Sequence, residues 1–262
     1  MFSKEHIDYL KKRKKRKKII IIAQIFIVIL FFGIWQLLAS FNLINTFLFS
    51  SPKDIINTII NLLKNDLFEH IWITFYETSI SFLIASLLGL LIASLLWFNK
   101  TVADILDPYL TILNSLPKVA LGPLIIIWVG ASINSIIVMA LMISLITSII
   151  NIYNSFNSTD QNYITLLKSF KASKMQIFSK VIIRANKNNI FNTFKINISM
   201  SLIGVIMGEL LVSKKGLGYL IMYGSQVFNI NLVITSVFIL GIMSYVIYFI
   251  LIKIEKILFK KK

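Results

Sequence analysis

The sequence predicts an all-α membrane protein of about six transmembrane helices, and three observations carry that expectation. Apolar runs of about 20 residues recur along the chain, the length that crosses a hydrocarbon core of ~30 Å, and they raise the mean hydropathy of the 262 residues to +0.81. The segments between the runs are too short for a soluble domain of ~100 residues. The 27 Lys and Arg residues, set against 11 acids, sort by side of the membrane.

Residues 19–41 form the first span. The basic run Lys11–Lys18 before it resembles a secretory n-region, but the apolar stretch is too long for a signal h-region and lacks a small-x-small cleavage site, so a retained anchor is expected. Ser51-Pro52-Lys53-Asp54 then supplies an N-cap, a proline at N1 and an acid at N3, opening a short amphipathic helix through about Leu63 on the outer surface. Further spans are predicted at about 70–97, 104–128, 133–153, 189–212 and 232–257. The third of the six contains Pro108, Pro117 and Pro123. Each proline removes a backbone donor, so this span is expected to kink or break where protein or water satisfies the freed carbonyls.

With both termini cytoplasmic, 22 of the 27 basic residues lie inside; Lys53, Lys64, Lys214 and Lys215 lie outside, and Lys118 falls within the third span. The positive-inside rule favours this orientation. The expected organisation is a basic cytoplasmic tail (1–18), the first span with its outer helix (19–69), a core domain (70–258) carrying a cytoplasmic loop at 158–188, and a short tail (259–262). The formal charge of +16 is therefore topogenic. It does not predict nucleic-acid binding, and anionic lipid is the expected counter-charge of the N-terminal cluster.

Several chemistries find no residues here. There is no cysteine, hence no disulfide or thiolate chemistry. No G-x-x-x-x-G-K-[ST] loop occurs, so ATP-driven work needs a partner chain. The two histidines, His6 and His70, have no second ligand at helical spacing, so no metal is expected. Neither a Ser/His/Asp set nor a carboxylate pair at a plausible separation is visible, and an enzyme is not expected. Glu77 and Glu209 do sit inside predicted spans. A buried acid there costs about 2.5–3.5 kcal/mol and is functional by default; an interfacial position for either is the alternative.

The segment 158–188 is polar, basic and amphipathic. Ser158 with Gln161 suggests a capping box opening one helix, with Ile164, Leu167 and Phe170 on its apolar face. Ser173 with Gln176 repeats the signature for a second helix, presenting Met175, Phe178 and Ile182 together and placing Lys171 at the corner. Two readings are open: a loop lying on lipid headgroups, or a docking element whose Met175 and Phe178 enter a groove in a cytosolic partner.

The stretch Leu167–Ile190 resembles the coupling loop of permease subunits of type I ATP-binding-cassette importers. Ile105–Gly130, ILDPYLTILNSLPKVALGPLIIIWVG, and Ile203–Ile221, IGVIMGELLVSKKGLGYLI, are similar to the third-span and fifth-span patterns of the sulfonate, nitrate and taurine branch. Departures occur within it. Thr165, Leu166 and Leu167 stand where the family prefers an acid and alanines, Lys171 where it prefers glycine, Arg184 and Asn188 where prolines are usual, and Glu77 where an arginine is usual.

The resemblance implies a MetI-like permease fold in a bacterial inner membrane. Its implied partners are a second permease copy as a homodimer, ATPase subunits that bind the ATP and Mg, and an extracytoplasmic binding lipoprotein. It assigns Leu167, Phe170, Lys171, Ala172, Ser173, Met175, Gln176 and Phe178 to the coupling loop. It further implies a small organic anion, oxyanion or thiamine-precursor-like substrate. Asn114, Ser115, Pro117, Lys118, Gly122 and Glu209 are candidates for the pathway, with helix capping as the alternative role of Asn114 and Ser115. A self-powered carrier and a non-transporting scaffold are the competing functions; the first lacks inverted repeats or an ion relay.

Overall fold

In the computed structural model, residues 4–258 are described, and every element among them is helical. Residues 1–3 and the predicted tail 259–262 lie outside the described residues. Helix α1 (Lys4–Ser40) is continuous through the basic run, so residues 4–18 and the first apolar run share one helix. Its apolar length is unburied except near its end, where Trp35 stacks on Phe238 with centroids 6.1 Å apart.

A single turn, α2 (Thr46–Phe49), leads to α3 (Pro52–Leu63). Its start is as expected: Ser51 Oγ accepts from the Asp54 amide at 3.1 Å, with Pro52 at N1. The spans α4 (Leu67–Phe98), α7 (Ile133–Asn157) and α10 (Ile183–Val212) pack as the central trio. Small residues permit their approach, as between membrane helices whose association lacks a hydrophobic drive. A Cβ on Gly204 would lie 2.4 Å from Ala140 Cα, and one on Gly89 would lie 2.3 Å from Ser148 Oγ.

The proline-rich span is broken. Helix α5 (Lys100–Ser115) and the segment Lys118–Val129, which contains α6 (Gly122–Val129), meet at 84°. The cause is local: proline disfavours the α region for its predecessor, and Leu116 before Pro117 has ψ 142°. With the bent pair taken as one span, six helices or pairs are long and apolar enough to cross a membrane.

Beyond α7, helix α8 (Gln161–Ser169) turns into α9 (Lys174–Ile177). This second helix does not close at residue 188. It runs through a π segment (Phe178–Ile182) into α10, forming one apolar helix from Lys174 to Val212. The fifth span and the second helix of the predicted loop are thus one element, because Arg184 and Asn188 can both donate a backbone N–H where a proline could not. Helices α11 (Leu217–Gln226) and α12 (Ile230–Leu258) complete the described residues and pack on each other.

Candidate functional site

Two regions at opposite ends of α10 bring the predicted residues together. At the α8 end, the corner is built by backbone chemistry. Helix α8 stops in a Schellman motif: the Ala172 amide donates to Leu167 O at 3.0 Å and the Lys171 amide to Lys168 O at 2.8 Å. That closure requires a left-handed residue, and Lys171 has φ 54°. The family preference for glycine at this position has its physical reason there. Ser173 then opens the next helix, accepting from the Gln176 amide at 3.2 Å while its own amide donates to Gln176 Oε1 at 2.8 Å. The predicted box is present.

The first box is not. Ser158 caps the end of α7, and its hydroxyl donates to Ser155 O at 2.8 Å. Asp160 is the N-cap of α8 instead, accepting from the Asn162 amide at 2.9 Å. The shift follows from a buried residue the sequence reading did not single out. Asn186 donates to Thr159 Oγ1 at 2.6 Å and to Ile182 O at 2.9 Å, and accepts from Ser155 Oγ at 3.0 Å. It holds residues 155–159 against α10, so the chain is free to turn only after Thr159.

The apolar residues of the corner divide. Met175 and Phe170 are 63% and 75% exposed, and Tyr163 and Leu166 join them outside. Phe178, expected beside Met175 in a partner groove, points inward instead. Its ring lies 4.9 Å from Phe98, 5.1 Å from Trp97 and 5.6 Å from Phe156, centroid to centroid. Three residues at 3.6 per turn set Phe178 about 60° round the helix from Met175, and the aromatic ends of α4 and α7 offer it the larger apolar contact. Phe178 anchors the corner to the spans.

At the α11 end, Glu209 is 1% exposed and Glu77 2% exposed, so both carboxyl groups are enclosed by protein. Glu209 caps α11. Its Oε2 accepts from the Gly218 amide at 2.5 Å, its Oε1 accepts from Thr74 Oγ1 at 2.6 Å, and Thr74 Oγ1 in turn accepts from the Leu217 amide at 2.8 Å. The Gly216 amide donates to His70 Nδ1 at 2.9 Å. A helix start leaves amides unpartnered and carries partial positive charge, and an acid answers both.

The spacing Glu209…Gly216-Leu217-Gly218 becomes intelligible. A Cβ on Gly216, which has φ 110°, would lie 2.4 Å from the Glu209 carboxyl carbon, and one on Gly218 would lie 2.8 Å from Oε2. Glu77 lies beside the same carboxylate, and its buried Oε2 has no hydrogen-bond partner among the described residues. Two acids far apart in sequence are therefore paired, an arrangement the sequence reading had not found. The signal was His70, Thr74 and Glu77 at spacings of four and three on one face of α4. At the surface beside them, Lys215 pairs with Glu69. That hydrogen bond, with the charges of Glu69 and Asp66, holds the Lys215 ammonium above its usual range.

The remaining pathway candidates separate. Lys118 Nζ donates to Asn114 Oδ1 at 3.0 Å and approaches Ile143 O at 3.4 Å, so Asn114 and Lys118 meet at the 84° break beside Thr147. The Ser115 hydroxyl turns back to Ile112 O at 2.8 Å, a helix-end role, and Pro117 is exposed. Gly122 is buried. A Cβ there would lie 2.8 Å from both Met139 Cε and Leu211 Cδ1, so it serves helix packing. Glu209 belongs to the α11 corner and is not assembled with the break.

A family model described as "Binding-protein-dependent transport system inner membrane component" matches residues 85–262. A probable ABC transporter permease protein of Haemophilus influenzae is 28% identical over 216 residues, covering 82% of this chain and 88% of that protein. The putative aliphatic sulfonates transport permease protein SsuC of Bacillus subtilis is 27% identical, covering 81% and 77%. The formylaminopyrimidine transport permease protein ThiX of Halalkalibacterium halodurans is 26% identical, covering 81% and 85%. Among solved structures, a chain of the inward-facing MetNI methionine ABC transporter superposes with TM-score 0.64 at 22% identity, over 72% of this chain and 94% of that one. The chain belongs to the binding-protein-dependent transport system inner membrane components, the permease subunits of ABC importers.

Proposed function

We propose that this permease lines the membrane passage of an importer for a small organic anion or oxyanion, and that its α8 corner transmits the work of a separate ATPase. The observation that carries the reading is the division of the corner: Phe170 and Met175 stand outside while Phe178 is locked into the aromatic ends of α4 and α7. Such an element is a stiff lever, gripped by the body and free at its tip, suited to rigid-body switching. Exposed large side chains at the tip are the anchors a groove in the ATPase would desolvate.

In this reading both termini are cytoplasmic, as the basic residues favour, a second copy of the chain completes the pore, and a binding protein delivers substrate from the opposite face. The anion class is supported by the names of relatives, which include permeases for aliphatic sulfonates, taurine and nitrate, and by the position of Lys118 with Asn114 at the helix break. ThiX relatives keep a pyrimidine substrate within the same proposal.

The test is reconstitution of the chain with its ATPase and binding protein in liposomes. Phe170→Asp with Met175→Asp is expected to abolish substrate-stimulated ATP hydrolysis and uptake while the permease remains folded and inserted. Undiminished uptake by this double variant would refute the lever.

A further inference from the structure

A cleft of about 700 Å³ lies behind α8, bounded by the end of α4, the start of α5 and the end of α7. Lys100, Lys168 and Lys174 reach it from three different elements, against Asp104 as the one acid of its lining, and Trp97 and Tyr153 form aromatic wall. Lys174 is held in place: its ammonium donates to the Phe98 carbonyl and stands 5.8 Å from the Trp97 ring centroid. Lys100 and Lys168 are exposed, and neither joins an ion pair among the described residues.

The two faces of α8 have different surroundings. Gln161, Ile164 and Lys168 line the cleft at spacings of three and four. Tyr163, Leu166 and Phe170 are exposed on the outer side. A partner covering the outer face would therefore leave the cleft open.

We propose that this cleft binds a phosphate-bearing anion, the headgroup of an anionic phospholipid from the surrounding leaflet, and that the bound headgroup braces α8 against the spans. Ammonium groups are point charges with three donors each, suited to phosphate oxygens. Basic clefts between spans at the membrane boundary take anionic headgroups. Trp97 and Tyr153 sit where α4 ends and α7 leaves the apolar region, the depth at which amphipathic rings concentrate. A zwitterionic headgroup would bring its own cation against the same lysines, so net negative charge is selected.

Binding is measurable on the full chain alone in neutral detergent, so its failure is distinguishable from failure of the transport reading. The variant W35F/W72F/W128F leaves Trp97 as the single tryptophan reporter, titrated with dioctanoyl phosphatidylglycerol, dioctanoyl phosphatidylcholine and inorganic phosphate. Phosphatidylglycerol is expected to saturate the emission change at a midpoint about tenfold below phosphatidylcholine. K100Q/K168Q is expected to raise that midpoint about tenfold or more, with recovery in K100R/K168R and no change in K180Q. Lipid adducts of the chain with its native tryptophans, counted by native mass spectrometry, give the same discrimination if the reporter variant does not fold. Equal midpoints for the two lipids, or no response to K100Q/K168Q, would overturn the site. Saturation by inorganic phosphate at the phosphatidylglycerol midpoint would overturn the lipid source.

Discussion

The two ends of α10 solve the same problem, a tight junction between helices, by different means. At the α8 end, neighbouring residues build the turn: the Schellman closure at Lys171, the Ser173–Gln176 box and the Asp160 cap each lie within a few residues of one another. At the α11 end, the junction is held across the fold, with Thr74, Glu77 and His70 of α4 meeting Glu209 and the backbone of Gly216–Gly218. About 58 Å of helix separates them, the 39 residues of Lys174–Val212 at 1.5 Å per residue. One junction leaves large apolar side chains exposed; the other encloses its carboxyl groups in protein. In the proposed function the α8 corner engages a partner, and it keeps its strength in the backbone and its side chains free, whereas the enclosed α11 corner spends its side chains on itself.

Substitutions can break this contrast. The largest effect is expected from Phe178→Ala, which removes the aromatic grip of the corner on α4 and α7. A loss of about 3–5 kcal/mol is expected from the size of the buried ring, read as a lowered unfolding midpoint in detergent. Met175→Asp should leave that midpoint unchanged, and equal losses for the two would erase the division between anchor and tip.

At the other end, Glu209→Ala should cost about 3 kcal/mol by leaving buried donors unanswered. Glu77→Gln should cost less than about 1 kcal/mol, because Glu77 Oε2 has no hydrogen-bond partner to lose among the described residues and the amide can donate to the neighbouring Glu209 carboxylate. The same thermal assay separates them. A smaller change of opposite sign is expected from Lys171→Gly, a gain of about 1 kcal/mol as the left-handed backbone loses its Cβ clash.

The smallest effect concerns Lys215. Its ammonium is held above its usual range by Glu69, so the pair contributes fully below the unfolded lysine value of about 10.4 and fades as pH rises through the higher folded value. Lys215→Ala should therefore leave a stability difference that is slight near neutrality and vanishes in strong alkali, measurable by paired melts across pH.

The contrast also explains what could be read in advance. Ser51, Ser173 and Gln176 were legible because caps depend on residues three apart. The break after Ser115 was legible because a proline constrains its own neighbour. Ser158 was misread because Asn186, almost thirty residues away, ties down Thr159 and delays the turn. Phe178 was misread because helical phase places it near Met175, and only the aromatic ends of α4 and α7 decide which way the helix faces.

The amino-acid sequence by itself determined the solvent, the number of spans, the caps at Ser51 and Ser173, and the break. These follow from hydropathy, charge and backbone chemistry acting over a few residues. Tertiary structure alone decided that Glu77 and Glu209 share one site, that Gly216 and Gly218 yield space to a carboxylate, that Phe178 grips the core, and that three lysines surround one cleft. Each of those depends on which faces of distant helices meet, and helical periodicity fixes a face without naming its neighbour.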